Sequence, residues 1–174
     1  FDLYASGEKV RTGWTAGGDG LLVMDRNSDG VINDGSELFG SSTQLASGER
    51  AANGYIALNE LDSNQDGSIS SADAGFSDLR VWIDANSDGV SQSGEVRALD
   101  SLGISKIDLA ATSTWADNNG NFEGLVSSYA TTDGKTHAMA DIWFATDKSP
   151  SVDVAVNPPA ATLAAPVEDL RTKV

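Results

Sequence analysis

The sequence predicts an α+β fold, with short helices around Asp- and Asn-rich loops packed with a small antiparallel β-sheet or hairpin. Three observations predict it. The pattern D-x-N-x-D-G begins at Asp25, Asp62 and Asp84. Apolar residues recur at spacings of three and four between the second and third of these, which is the period of a helix face. From Ile104 onward the period falls to two, and Thr132-Asp133-Gly134 reads as the turn of a hairpin.

Taken in order, residues 1–24 read as short extended pieces joined by glycine turns. Gly17-Gly18-Asp19-Gly20 is a turn, and Leu21-Leu22-Val23-Met24 is a buried run leading into the first loop. Residues 40–48 are polar and irregular. A short helix is expected over residues 55–61, with Tyr55, Leu58 and Leu61 near one face. A second is expected over residues 72–83, where Phe76, Leu79 and Ile83 form a stripe that Val81 and Trp82 widen. A third helical turn is expected after Glu95, carrying Val96 and Leu99 and stopping before Gly103. In the strand region Ile107 and Leu109 alternate with Lys106 and Asp108. Residues 122–131 and 135–144 form the hairpin, and Ala138, Ala140, Ile142 and Phe144 share one face of its second strand. Residues 148–174 hold all four prolines and many alanines without a strong period. They read as a linker or tail behind a module spanning residues 1–147.

The formal net charge is −15, from 26 acids against 11 bases. Such a chain repels phosphate backbones, so no nucleic-acid partner is expected. No apolar run is long enough to span a membrane, and no membrane insertion is expected. The absence of cysteine excludes disulfides and thiolate metal sites. Phe1-Asp2-Leu3-Tyr4 is not a signal peptide and lacks an initiator Met, so a piece of a larger protein is expected. Ten of the 26 acids fall inside three short segments, which favours cation sites over a merely solvated surface.

The spacing inside those segments suits calcium, a hard cation that takes about 6–8 oxygen ligands. One segment can supply them by curling around the ion. Alternate side chains then point inward, a glycine at the sixth position allows the bend, and a late carboxylate closes the shell. The third loop matches this EF-hand-type pattern throughout: Asp84, Asn86, Asp88, the bend at Gly89, the Val90 carbonyl, Gln92 and the closing Glu95. The second loop offers Asp62, Asn64, Asp66, Gly67 and the Ser68 carbonyl, with Ile69 as an apolar anchor. Its closing acid is Asp73, one methylene shorter than Glu. The first loop offers Asp25, Asn27, Asp29, Gly30, the Val31 carbonyl and Asn33, and its closing Glu37 stands one position late. Two to three Ca2+ ions are expected.

A single D-x-N-x-D-G can be an Asx-rich turn that binds nothing. Three of them crowd carboxylates that repel by about 1 kcal/mol at 4 Å even in water, and a divalent cation removes that repulsion. Asp62 and Asp84 stand only 22 positions apart (84 − 62). One helix is therefore expected to leave the second loop and enter the third, coupling those two sites. Other candidates carry less. Asp2-x-Tyr4-x-Ser6-Gly7 has the outline of a loop with two ligand positions lost. Asp117-x-Asn119-x-Asn121 reads as a turn. His137 reads as exposed structure, and Trp14, Trp82, Trp115 and Trp143 as core or platform residues.

Several motifs follow one another in a distinctive order: Thr12-Gly13-Trp14, Asp19-Gly20-Leu21-Leu22-Val23, Gly35-Ser36-Glu37-Leu38-Phe39-Gly40, Leu79-Arg80-Val81-Trp82-Ile83-Asp84 and Ala140-Asp141-Ile142-Trp143-Phe144. Together they resemble the calcium-binding, self-processing module of the iron-regulated RTX (repeat-in-toxin) proteins of Gram-negative bacteria, over residues 1–147. The resemblance implies type I secretion, an extracellular or cell-surface location, and folding driven by calcium outside the cell. It also implies, for self-processing members, cleavage of an Asp-Pro bond just upstream and capture of the new aspartyl group by a lysine amine as an isopeptide. This chain contains no Asp-Pro pair, so no catalytic residue carries over.

Three functions compete at this level. The first is a calcium-triggered folding module of a secreted protein, partnered by other segments of the same parent. The second is self-cleavage of that parent. The third is docking of an extracellular protein partner in the manner of cellulosomal dockerins, which the irregular loop offsets and the extra hairpin disfavour.

Overall fold

Gly20–Val23 is the first strand (β1) of the computed structural model, and all four residues are buried, as a strand covered on both faces requires. The structure describes residues 1–146 and the backbone of residues 161–165. Eight further strands follow: β2 (Ser68–Ser70), β3 (Arg80–Trp82), β4 (Val96–Ala98), β5 (Ile104–Asp108), β6 (Thr112–Asn118), β7 (Asn121–Thr131), β8 (Thr136–Trp143) and β9 (Ala161–Ala165). All named pairings are antiparallel, in the order β2-β5-β7-β8-β9-β1-β3-β4, with β6 also on β7. Two sections result, β2-β5-β7-β8 and β1-β3-β4, and β9 joins them edge to edge.

The fold is thus mostly β, and the expected α+β arrangement of helices around the loops is corrected. The sole α-helix among the described residues is Gly54–Asn59 (α1). It lies where a short helix was expected, with Tyr55 and Leu58 buried on one face. Asn53 caps it by accepting from the Ile56 N–H at 2.9 Å, and Asp141 of β8 accepts from the Gly54 N–H at 3.1 Å.

The helix expected over residues 72–83 does not form. Asp73 folds back into a turn, its N–H on the Ser70 carbonyl at 2.9 Å, and Phe76–Asp78 is one turn of 3-10 helix. Leu79 is then extended, with ψ 142°, and Arg80-Val81-Trp82 enters the sheet between β1 and β4. The physical reason is tertiary. Val81 and Trp82 are both buried, on opposite faces of a pleated strand, against two different cores. A helix would have turned one of them to solvent. The helical turn expected after Glu95 is strand β4 instead, because the Ile83 N–H donates to the Glu95 carbonyl and starts a ladder. A 3-10 turn, Asp100–Leu102, follows it.

The expected strands over 104–109, 122–131 and 135–144 correspond to β5, β7 and β8, and Thr131–Lys135 closes the hairpin. Strand β6 was not foreseen. Its signal was Asn119-Gly120, whose φ values of 55° and 84° suit the two-residue turn of a twisted hairpin. His137 is buried rather than exposed, with its ring stacked on Tyr129 at 5.1 Å. The expectation of a tail over residues 148–174 lies outside the described residues, apart from the backbone of β9.

Two cores lie on either side of the β1–β3 layer. Leu22, Val81, Tyr55, Leu58, Ile69, Phe76, Ile107 and Met139 belong to one. Leu21, Val23, Ile32, Leu38, Trp82, Ile142 and Phe144 belong to the other. Alternation along β1, β3 and β8 assigns neighbouring residues to opposite cores. This places the first and third loops on the second core and the second loop on the first.

Candidate metal centre

The three loops share one local construction. In each, the carboxylate of the first Asp accepts two backbone N–H groups, from the fifth and sixth residues. Asp25 takes Asp29 at 3.2 Å and Gly30 at 2.9 Å. Asp62 takes Asp66 at 3.1 Å and Gly67 at 2.9 Å. Asp84 takes Asp88 at 3.2 Å and Gly89 at 2.8 Å. The fourth and sixth residues carry positive φ in every case: Ser28 60° and Gly30 86°, Gln65 58° and Gly67 81°, Ser87 57° and Gly89 68°. A positive φ suits glycine and strains most other residues; the sixth position, which has the larger φ in each loop, is glycine in all three, whereas the fourth is Ser or Gln.

The remaining expected ligands follow the same plan. Asn27, Asn64 and Asn86 each accept the fifth residue's N–H and donate to its carboxylate. The backbone N–H groups of Val31, Ser68 and Val90 each donate to that carboxylate at 2.9 Å. Asn33 and Gln92, the ninth residues, donate side-chain N–H groups to Asp29 and Asp88. These hydrogen bonds hold Asp88 below the usual carboxylate range, with Gln92, Val90 and Asn86 together outweighing the opposing effect of burial. Asp66 is likewise lowered, chiefly by the Ser68 hydroxyl.

The closing acids differ. In the second loop Asp73 accepts the Ser63 N–H and hydroxyl, the Asn64 N–H and the Ser70 N–H. Ser70 leads the hydrogen bonds that lower its carboxyl. In the third loop Glu95 accepts from Gln92, Ala85 and the indole of Trp82. In the first loop Glu37 is 1% exposed, accepts the Asn33 N–H at 2.8 Å through Oε2, and leaves Oε1 buried without a partner. Burial pushes its carboxyl up, and the like charges of Asp34 and Asp29 add to this. Oxygen atoms of Asp25, Asp29 and Glu37 lie within 4.8 Å of one another, and no other three His, Cys, Asp or Glu side chains meet this way among the described residues. The set is all oxygen, with one buried acceptor unmet, and it fits a hard divalent cation. The late closing position does not prevent convergence.

The flanks are not those of paired helices. The first and third loops spring from β1 and β3 and return to a bridge at Leu38 and to β4. The second is entered after α1 and continues into β2. No shared helix links the second and third loops. The degenerate outline at the N-terminus folds like the others: Asp2 accepts the Ser6 and Gly7 N–H groups at 3.1 and 2.7 Å, but Tyr4 and Ser6 stand where carboxyl or amide ligands would be needed.

Two participants were missed in the sequence. Trp14 donates its indole N–H to Asp84 Oδ2 at 2.7 Å, and Asp84 is fully buried. Ser91 accepts the Ile32 N–H at 2.8 Å. Trp14 gave no periodic signal. Ser91 could have been noticed by aligning the loops, because the eighth residue is Ile in the other two.

The class defined by this fold and these loops is an antiparallel β module that presents Asp/Asn loops as candidate cation sites. The chain belongs to the SPM domain family, whose model matches residues 1–145. It is similar to the iron-regulated protein FrpA of Neisseria meningitidis serogroup C, with 49% identity over 148 residues, covering 84% of this chain and 13% of that protein. It is therefore an FrpA-like module, spanning a small part of the length of the relative it matches. No helix among the described residues is long and apolar enough to cross a membrane.

Proposed function

We propose that this chain is a calcium-responsive module of a secreted RTX-type protein, which folds when its loops bind two to three Ca2+ ions outside the cell. The supporting observation is the first loop, where Asp25, Asp29 and Glu37 converge within 4.8 Å around a buried carboxylate oxygen without a partner. Asp25 and Asp29 would hold the ion from the exposed side and Glu37 from below. Calcium supplies the positive charge that makes the convergence favourable. Binding energy spent on a loop that exists only in the folded chain is folding energy. Other segments of the parent are natural partners, since β9 lies beyond the family-matched residues and bridges β8 to β1.

Circular dichroism with calcium and with EGTA tests this. The chain gains β signal and near-ultraviolet bands on adding calcium, and calorimetry detects binding; identical folded spectra in both buffers overturn it.

A second function, self-cleavage of the parent at an upstream Asp-Pro bond, gains support from Phe1. Its ring lies 5.2 Å from that of Trp14 and 5.7 Å from that of Trp82, and its Cβ would be 3.5 Å from a Cβ added at Gly89. Any chain preceding Phe1 would leave from the third loop, where calcium could act on it. A longer chain containing Asp-Pro before Phe1 splits in calcium and stays whole in EGTA; a chain intact in both rules this out.

A further inference from the structure

Ile32 and Ser91 occupy the same place in two loops: each is the eighth residue, counted from Asp25 and from Asp84. Ile32 is 2% exposed, and its N–H donates to Ser91 Oγ at 2.8 Å. The eighth residue of the second loop behaves otherwise. Ile69 pairs with Ile107 of β5 and packs in the core around Tyr55 and Phe76. The first and third loops both border the other core, which contains Val23, Ile32, Leu38 and Trp82 with Val96 packed against it. They also spring from β1 and β3, which are paired neighbours.

We propose that the first and third loops form one coupled cation-binding pair, joined by the hydrogen bond from the Ile32 N–H to Ser91 Oγ, and that the second loop binds independently. The proposal rests on the calcium reading above. The bond lies next to the group that orients each closing acid. One residue beyond Ile32, the Asn33 N–H holds Glu37. One residue beyond Ser91, the Gln92 N–H holds Glu95. On the other side of each are Val31 and Val90, whose carbonyls are the expected seventh-position ligands. A cation that orders one of these segments therefore orders the other through the shared bond. The second ion finds its segment already fixed and meets a smaller entropy loss. Such coupling is reciprocal between the two sites. Ser91 is a positioning residue in this scheme, since it holds Ile32 and no ion.

The experiment is a calcium titration of the full chain, held folded from the start by a stabilising osmolyte so that folding does not move all three loops together, followed by amide NMR at Gly30, Gly67 and Gly89, one reporter for each loop. Gly30 and Gly89 respond with a common, steep midpoint, and Gly67 with its own. Asp25→Asn, which disables the first loop, moves the Gly89 midpoint to about fivefold higher calcium, the size of one hydrogen bond's net effect, and leaves Gly67 in place. In a Ser91→Ala background Asp25→Asn no longer moves Gly89, whereas Ser91→Thr, which keeps the hydroxyl, preserves the coupling. A Gly89 midpoint indifferent to Asp25→Asn overturns the proposal. So does a shift of Gly67 as large as that of Gly89, which would mean global folding rather than pairing. These two titrations decide the matter even where Ser91→Ala does not fold. Silence at all three glycines overturns the calcium reading itself.

Discussion

The first and second loops carry the same D-x-N-x-D-G segment and the same curl, yet they end in opposite electrostatic states. Asp73 is satisfied by N–H and O–H groups of its own loop. Glu37 is buried with one oxygen unmet and two acids beside it. The motif therefore makes a cradle, and the surroundings of the closing acid decide whether that cradle holds unmet negative charge. The closing acid of the second loop already has donors for its oxygens, whereas that of the first loop keeps one oxygen without a donor.

The largest expected effect tests that contrast. Glu37→Gln weakens calcium at the first loop by about a hundredfold or more, read from the Gly30 midpoint, because a charged ligand is lost. In calcium-free buffer, with the chain held folded by a stabilising osmolyte, the same change raises the unfolding temperature by removing a repelled buried charge. Asp73→Asn lowers it there by removing the charge and one of the two oxygens that four donors share. The pH dependence differs in sign as well. Glu37, raised in the folded chain, makes the fold less stable as pH rises through its titration. Asp73, lowered in the folded chain, stabilises the fold above its unfolded value and loses that contribution as pH falls. Equal signs for the two residues would break the comparison.

Next in size is Asp141, which belongs to neither loop. It is fully buried, burial pushes its carboxyl up to about 7, and only the Gly54 N–H offsets this. The folded acid keeps its proton between about pH 4 and 7, where the unfolded one has lost it, so stability falls as pH rises through that window. In saturating calcium, Asp141→Asn gains on the order of 2 kcal/mol over the parent at about pH 8 and almost nothing at about pH 4, measured by urea unfolding. A gain equal at both values would remove the charge as its cause.

Trp14→Phe keeps an aromatic ring beside Phe1, Trp82 and Phe144 but removes the indole N–H from Asp84. It lowers stability in calcium by about 1.5 kcal/mol, the scale of a hydrogen bond to a charged group, and it moves Gly89 more than Gly67 in the titration. The smallest effect sets the baseline. Trp115 is 77% exposed and touches Phe122, far from the loops in sequence, and Trp115→Ala changes urea stability by no more than about 0.5 kcal/mol.

What was legible in the sequence was what is held together locally. The bonds of Asp25, Asp62 and Asp84 to their own loops reach four or five residues along the chain, so spacing alone foretold them. The hairpin at Thr132-Asp133-Gly134 was readable for the same reason. Residues 76–83 were misread because Phe76, Leu79 and Ile83 satisfy a helical spacing, while the pairing of Val81 with Leu22 and Arg97 depends on distant residues. His137 was misplaced because its cover, Tyr129, lies on the adjacent strand.

By itself the sequence determined the oxygen-rich chemistry of the loops, their bends and the order of the terminal strands, since each depends on residue type within a few positions. Only the tertiary structure decided that Glu37 is buried, that Trp14 reaches Asp84, and that the first loop touches the third rather than the second touching the third. Burial and long-range pairing are set by the β1–β3 layer and its two cores, where neighbouring residues face opposite ways, and no local spacing records which face meets which partner.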